Sequence, residues 1–330
     1  MNVPLLVEVA CPACGGGDAM RLFAVKDWTF GCSEETFAVR KCLSCGCGYL
    51  SPRPPEDDMA RYYPEAFYWS WERADGSLDW AEIIARRRPQ LDAKAAWLAD
   101  LTPGRLLDVG AQKGEFLWHM RSLGWEVEGV EMDSGVPNPR AMPIRYGDFL
   151  AMDLRAESYD VVTFWAVLEH VHRPAAFLEK AAALLKPGGQ LIVLVTSLDS
   201  LQARWFRQDD YPRHLTIFTR GSLTQLFSRH GLQTRRMVTD QRIFGGTLNG
   251  ALVYWCKRLG GYGVEEAMRE WKQIREPDLF WACWHGRPSS AMRWISRLDR
   301  LLTLPLESVL DRLGYGFILT ASAERSSIRD

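Results

Sequence analysis

The run LLDVGAQKGEFL, residues 106–117, restricts the fold of this chain more than any other stretch. Apolar residues lead to Asp108, two glycines follow at Gly110 and Gly114, and a helix-like sequence begins directly after them. A buried strand that passes through a tight turn straight into a helix is the first half of a βαβ unit. Such units stack into parallel sheets with helices on both faces.

The flanking sequence repeats that alternation. Before the run, apolar residues recur near helical spacing from Glu82 to Leu101, and Thr102-Pro103-Gly104 stops the helix. After it come an amphipathic helix from Gly114 to Gly124, a second strand from Glu126 to Asp133, and a short third around Ile144 to Tyr146. A fourth strand, Tyr159 to Trp165, leads to the helix AAFLEKAAALLK. Pro187-Gly188-Gly189 then turns the chain into a fifth strand, Gln190 to Thr196. The expected fold is a doubly wound, Rossmann-like α/β sheet, whose ligand sits at the carboxyl ends of the strands where their order reverses.

The first turn therefore lines the ligand crevice. Glycine lets backbone approach a ligand closely, and a helix N-terminus offers free N–H groups to a carboxylate or phosphate. Glu131 ends the second strand, where an acid accepts both hydroxyls of a ribose. Together these features indicate an adenosine-containing cofactor. A dinucleotide turn wants a middle glycine to clear space for the pyrophosphate, and here the bulkier Gln112 lies between the two glycines. Asp108 would repel a pyrophosphate and suits an ammonium group, which favours the amino acid end of S-adenosylmethionine over a nicotinamide dinucleotide.

Of eight cysteines, six fall within the first 47 residues of a chain otherwise composed like an enzyme, so metal binding is a better first reading than disulfides. Cys11 and Cys14, then Cys42 and Cys45, form two matched pairs, each followed by a glycine at Gly15 or Gly46. Two residues between ligands let one turn aim both sulfurs at a single ion, so the four thiolates predict a structural zinc ribbon, with a redox or disulfide role as the alternative. Cys32 and Cys47 are left over. A Pro-rich stretch from Ser51 to Asp58 ends the ribbon, and the aromatic segment from Arg61 to Glu72 follows. That segment either packs the ribbon onto the next domain or closes over a ligand with Tyr62, Tyr63 or Tyr68.

The formal net charge of −1 gives no general field for nucleic acid. Arg86-Arg87-Arg88, the one evident basic run, reads as a solvated helix face. No signal-like N-terminus and no apolar run of about 18 residues is found, so a cytoplasmic protein is expected.

LLDVGAQKGEFL, VEGVEMD, YGDF, YDVVTFWAVLEHV, LLKPGGQLIVLV and PRHLTIFTRGSLTQLFSRHGL occur in an order and spacing that resemble class I S-adenosylmethionine-dependent methyltransferases. The resemblance runs from about Ala81 to Asp240 and resumes at the C-terminus. It implies that Gly110 and Gly114 approach the methionine part, Glu131 holds the ribose, and Asp148 with Phe149 contacts the adenine. Asp108 would orient the amino end, Met132 would flank the adenine, and Trp165 would lie near the sulfonium, with sheet packing or strand capping as the alternative for these three. Gln112 departs from the family's third glycine. Sugar carbon-methyltransferases with an N-terminal four-cysteine zinc module tolerate a polar residue there, and the chain is similar to that branch.

Methyl transfer needs a base only where the acceptor must lose a proton. His214 in DDYPRHLTIFT is the leading candidate, on a loop expected to face the sulfonium, with Tyr211 beside it and Pro212 stiffening the loop. The resemblance supports the assignment, since related enzymes carry a histidine in a similar pattern near the acceptor. A purely structural hydrogen bond is the alternative for His214, and also for His170 in LEHVHRP, the second candidate.

Leu232 to Asp240 and Gly316 to Glu324 read as the sixth and seventh strands, and the family implies that the seventh lies antiparallel between the fifth and sixth. About 75 residues between them are too many for a turn and read as four helical stretches, GALVYWCKRLGG, VEEAMREWKQI, SSAMRWISRLDRLL and PLESVLDRLG. Met292, Ile295, Leu298 and Leu302 share one helical face with Arg293, Arg297 and Arg300 beside it. Such a face packs on the domain, joins subunits in a homo-oligomer, or rests on a membrane to receive a lipid-linked glycan.

The expected organisation is a ribbon at 1–55, an aromatic linker or lid at 56–80, a cofactor-binding core at 81–240, a helical insertion at 241–313, and a final strand and tail at 314–330. The expected function is methylation of a small molecule, a sugar or glycan precursor, at carbon or oxygen. The rivals are a zinc-stabilised binding or scaffold protein without turnover, and a nicotinamide-dependent oxidoreductase.

Overall fold

A computed structural model of the chain describes residues 6–27, 32–63, 80–133, 135–206, 209–244 and 290–326. The N-terminal strands are β1 (Ala19–Val25), β2 (Phe37–Cys42) and β3 (Gly48–Leu50). β1 and β2 pair antiparallel, with Ala19 opposite Cys42 and Val25 opposite Phe37, and β3 pairs antiparallel with β2. A 3₁₀ turn at Glu56–Tyr62 follows, and helix α1 (Trp80–Ala95) opens the core.

The core then alternates as its sequence predicts: β4 (Arg105–Val109), α2 (Glu115–Ser122), β5 (Glu126–Glu131), β6 (Ile144–Tyr146), β7 (Tyr159–Trp165), α3 (Pro174–Leu184) and β8 (Leu185–Thr196). Beyond these lie β9 (Thr216–Ile217), α4 (Arg220–Arg229), β10 (Leu232–Thr239), α5 (Ser290–Leu313) and β11 (Ile318–Arg325). The large sheet runs β10-β11-β8-β7-β4-β5-β6. β4 pairs parallel with both β5 and β7, so strand order reverses at β4 and opens the crevice there. β11 lies antiparallel between β8 and β10, the arrangement that the family resemblance implied.

Leu106, Leu107, Val161 and Val162 are fully buried because β4 and β7 are covered on both faces. Burial of each such side chain contributes about 1.5–3 kcal/mol. Helix starts follow local chemistry. Pro174 begins α3, where its missing N–H has no partner to lose, and Thr219 and Ser222 exchange side-chain-to-backbone hydrogen bonds of 3.0 and 2.9 Å at the start of α4.

Three local expectations are corrected. The helix predicted to reach Leu101 ends at Ala95, after which Trp97 and Leu98 donate to Lys94 and Ala95 in tight three-residue turns. Lys186-Pro187-Gly188-Gly189 does not precede the fifth strand but bulges out of it: Tyr159 sits opposite Leu185, and Val161 opposite Gln190. The stretches SSAMRWISRLDRLL and PLESVLDRLG form one helix that continues through Pro305. Leu298 and Leu302 on that helix are exposed, and no described helix is long and apolar enough to cross a membrane. GALVYWCKRLGG and VEEAMREWKQI lie outside the described residues, as does Tyr68. In the basic run, Arg86 pairs with Glu82 and Arg88 with Asp92 one turn away on an exposed face.

Candidate functional site

The turn after β4 lies at the carboxyl end of the strand. Gly110 has a φ of +82°, and a Cβ there would sit 2.5 Å from Cγ2 of Val167, so both backbone and packing require glycine. Gln112 also takes a left-handed φ, +47°, with its side chain exposed. Its N–H donates to Oε2 of Glu131 at 2.8 Å, while the Met132 N–H donates to Oε1 at 2.8 Å. The residue in place of the third glycine thus locks the turn to the tip of β5. The Asp133 N–H also donates to Oε1, at 3.4 Å, so Oε2 is the oxygen that keeps a lone pair for a hydroxyl.

Asp108 is buried beneath the turn and accepts a hydrogen bond from the Thr163 hydroxyl at 2.6 Å. Burial pushes its carboxyl up to about 7, against the opposing pull of the Lys94 charge and of Thr163. The Lys94 ammonium lies 5.2, 5.5 and 5.6 Å from the ring centroids of Trp165, Phe116 and Phe244. Three aromatic faces therefore surround a cation beside a carboxylate, an environment that suits positive charge. Sequence reasoning missed Lys94, whose only signal is its place on the helix preceding β4.

The remaining cofactor candidates are scattered in kind. Met132 is exposed, and the Asp148 carboxylate accepts the Leu150 N–H at 2.9 Å. The Phe149 ring is buried against Phe164 and Phe177, which leaves its backbone rather than its ring to face a ligand. Trp165 is buried at the end of β7 with its indole N–H unpartnered among the described residues.

The loops after β7 and β8 bring the proton-handling candidates together. His214 is buried and its Nδ1 lies 2.5 Å from Oδ1 of Asp209, whose other oxygen accepts from Thr196 at 3.1 Å. Burial opposes charge on this imidazole, yet the Asp209 carboxylate holds it up at about 9. The His170 ring stands edge-on to it, centroids 4.5 Å apart, and burial pushes that imidazole down to about 3. The Tyr63 hydroxyl lies 3.1 Å from Nδ1 of His170. The Tyr211 hydroxyl is buried and unpartnered among the described residues. Sequence reasoning singled out neither Asp209, in the same DDYPRHLT segment, nor Glu169, next to His170. Glu169 is fully buried, and burial raises its carboxyl to about 7.

The loop carrying His214 is anchored from beneath. Arg213, wholly buried, donates to Asp27 at 2.8 and 3.2 Å, to Asp210 at 2.8 Å, and to the carbonyls of Tyr62 and Tyr211 at 2.8 and 3.1 Å. β9 follows at once and pairs with β3, so the small sheet takes its fourth strand from this loop. The Leu215 and Thr216 N–H groups donate to the Glu169 carbonyl at 2.8 and 3.1 Å, which joins the two loops.

At the N-terminus one sulfur from each of Cys11, Cys14, Cys42 and Cys45 falls within 4.8 Å of the others, with pairs at 3.6 and 3.5 Å. A tetrahedron of thiolates about 2.3 Å from a zinc ion has edges of about 3.8 Å, so the cage has the size of such a site. Gly15 and Gly46 both have φ of +77° and donate to the carbonyls of Cys11 and Cys42, which gives the two knuckles one geometry. Cys47 is buried beside them, its thiol turned to the carbonyls of Gly48 and Ile217.

Residues 78–236 match a family model described as a methyltransferase domain. A ubiquinone biosynthesis O-methyltransferase of Paraburkholderia xenovorans is 35% identical over 109 residues, 29% of this chain and 47% of the relative. One from Xanthomonas oryzae pv. oryzae is 33% identical over 133 residues, 37% of this chain and 54% of the relative. The chain thus spans about half the length of these curated relatives. Among solved structures, an S-adenosylmethionine-dependent methyltransferase from Mesorhizobium loti aligns with a TM-score of 0.44 at 14% identity, covering 72% of this chain and 98% of that one.

Proposed function

We propose that the chain, whose residues 78–236 match a methyltransferase-domain family model, transfers a methyl group from S-adenosylmethionine to a small-molecule acceptor whose reacting atom must lose a proton. The observation that carries this is convergence at one edge of the sheet: the Gly110 turn, the Glu131 carboxylate and the His214–Asp209 pair all lie at carboxyl ends of core strands. The donor brings an activated methyl on sulfur. Glu131 takes the ribose hydroxyls, Asp108 the ammonium of the amino acid tail, and Trp165 lies beside the sulfonium. Asp148 and the backbone of Phe149 meet the adenine, with Met132 at its edge.

On the acceptor side, His214, aimed by Asp209, takes the proton of the attacking oxygen or carbon once it has released its own, which it holds up to about pH 9, and Tyr211 and His170 complete the wall. Attack is in line, so alignment and exclusion of water make up most of the protein's contribution. The sugar or glycan precursor expected from the sequence and the O-methylation in the names of the curated relatives share the need for proton loss. A zinc ion held by Cys11, Cys14, Cys42 and Cys45 stiffens the ribbon and takes no part in the chemistry, since four thiolates leave no open position. The family match weighs against the oxidoreductase alternative.

Calorimetry with S-adenosylmethionine, S-adenosylhomocysteine and NAD tests the donor: the first two bind and NAD does not. His214→Ala should retain product affinity while turnover on a panel of hydroxylated acceptors is lost. Binding of NAD alone would overturn the proposal, and unchanged turnover in the variant would remove His214 from the reaction.

A further inference from the structure

Helix α5 carries its polar and apolar sides the opposite way round from a helix packed on a core. Thr303 and Glu307 face the domain and are buried, Glu307 in a narrow cleft with Ser200, Gln202 and Gln241. The apolar residues point outward instead: Trp294, Leu298, Leu301, Leu302, Val309 and Leu313 are 49–72% exposed. At 3.6 residues per turn these six positions fall within about a third of the helix circumference, in a strip about 30 Å long. Single exposed leucines are ordinary, whereas a continuous apolar strip marks a surface that meets something.

The charges beside the strip decide what that is. Among the described side chains of α5, Arg297 and Arg312 are exposed and no acid is. Two copies meeting along this face, parallel or antiparallel, would set arginine against arginine with no acid between them, which opposes self-pairing. An anionic lipid surface complements both features, with acyl chains for the strip and headgroup phosphates for the guanidinium groups. Trp294 opens the strip, and Tyr315, exposed just beyond Leu313, closes it. A ring with a polar edge thus stands at each end, as suits the boundary between headgroups and chains. The helix lies on such a surface rather than through it, since no described helix is long and apolar enough to cross a membrane.

We propose that α5 docks in the plane of an anionic membrane surface, its face from Trp294 to Leu313 against the acyl chains and Arg297 and Arg312 at the headgroup phosphates. The surface stands apart from the methyl-transfer proposal, because it uses no residue of the cofactor or acceptor side. Binding combines burial of the apolar strip with attraction of the arginines, so salt weakens it by screening the second part alone.

The test is co-sedimentation of the whole chain with vesicles of phosphatidylcholine alone and of an equimolar mixture with phosphatidylglycerol. Binding to the mixed vesicles is expected, weaker at high salt. Leu301→Asp, which puts a charge into the strip, and the double substitution Arg297→Gln/Arg312→Gln should each lower the partition coefficient about tenfold or more. Both should leave the melting temperature without lipid unchanged, since the substituted side chains are exposed. No binding to the mixed vesicles, equal binding to both compositions, or unchanged binding in either variant overturns the proposal. So does a dimer in sedimentation velocity that Leu301→Asp dissolves, which assigns the face to a second copy. A melting temperature that Leu301→Asp lowers without lipid overturns it too, because the face is then covered within the chain. Calorimetry with S-adenosylhomocysteine on the same samples reads the cofactor side separately, so failure of one proposal leaves the other standing.

Discussion

Arg213→Met should be among the most damaging single changes in the chain. The guanidinium is wholly buried and makes five hydrogen bonds of 2.8–3.2 Å to Asp27, Asp210, Tyr62 and Tyr211. Asp27 is equally buried, accepts the Cys32 N–H at 2.8 Å, and loses its guanidinium counter-charge once the arginine is gone. Removing one partner of a buried ion pair typically costs about 3–5 kcal/mol, because the other charge stays buried and unpaired. Methionine restores part of the volume, so lost packing adds little. Urea unfolding followed by far-ultraviolet circular dichroism should show a fall of that size in the free energy of unfolding. The companion Asp27→Asn/Arg213→Met should recover part of it, since an amide needs no counter-charge. A loss below about 1 kcal/mol, or strict additivity of the two substitutions, would refute the account of a desolvated charge held by its partner.

The Asp108 carboxyl, pushed up to about 7 by burial, must ionise to hold the donor's ammonium, so product affinity should rise about tenfold between about pH 6 and about pH 8 and become flat in Asp108→Asn. The same group stabilises the ligand-free fold at low pH: the folded state holds this proton more tightly than the unfolded chain, so its contribution falls as pH rises from about 4 to about 7. Gly110→Ala combines a φ of +82° with a Cβ 2.5 Å from the stiff Val167 side chain, and should lower stability by about 2 kcal/mol or more, read as a fall in melting temperature. Adding Val167→Ala should restore the share due to the clash and leave the share due to φ.

How much was legible depended on sequence distance. The core strands announce themselves because β4 and β7 carry the apolar pairs Leu106-Leu107 and Val161-Val162, and the glycines of the first turn are spaced by a geometry that the local chain dictates. The four cysteines were legible because each pair lies within one knuckle. Inside single elements local signals failed where tertiary pairing overrode them: β8 continues across Pro187-Gly188-Gly189 because its ladder with β7 resumes beyond the bulge, and α5 runs through Pro305. The proposed acceptor side was half legible. His170 and His214 stood out as histidines, whereas the meaning of Asp209 and Glu169 depends on loops that meet only in the folded sheet. Arg213 and Asp27 are 186 positions apart, and no periodicity links them.

The pairing of Thr216 and Ile217 with Tyr49 and Gly48 makes the thiolate module a keystone rather than an appendage. Cutting the chain after the ribbon would strip a neighbour from a strand that begins two residues past His214 and bare its hydrogen-bonding edge to water. The first fifty residues therefore cannot be transplanted or discarded as a cassette. The β3–β9 pairing joins two stretches more than 160 residues apart, and contacts of that separation are slow to form.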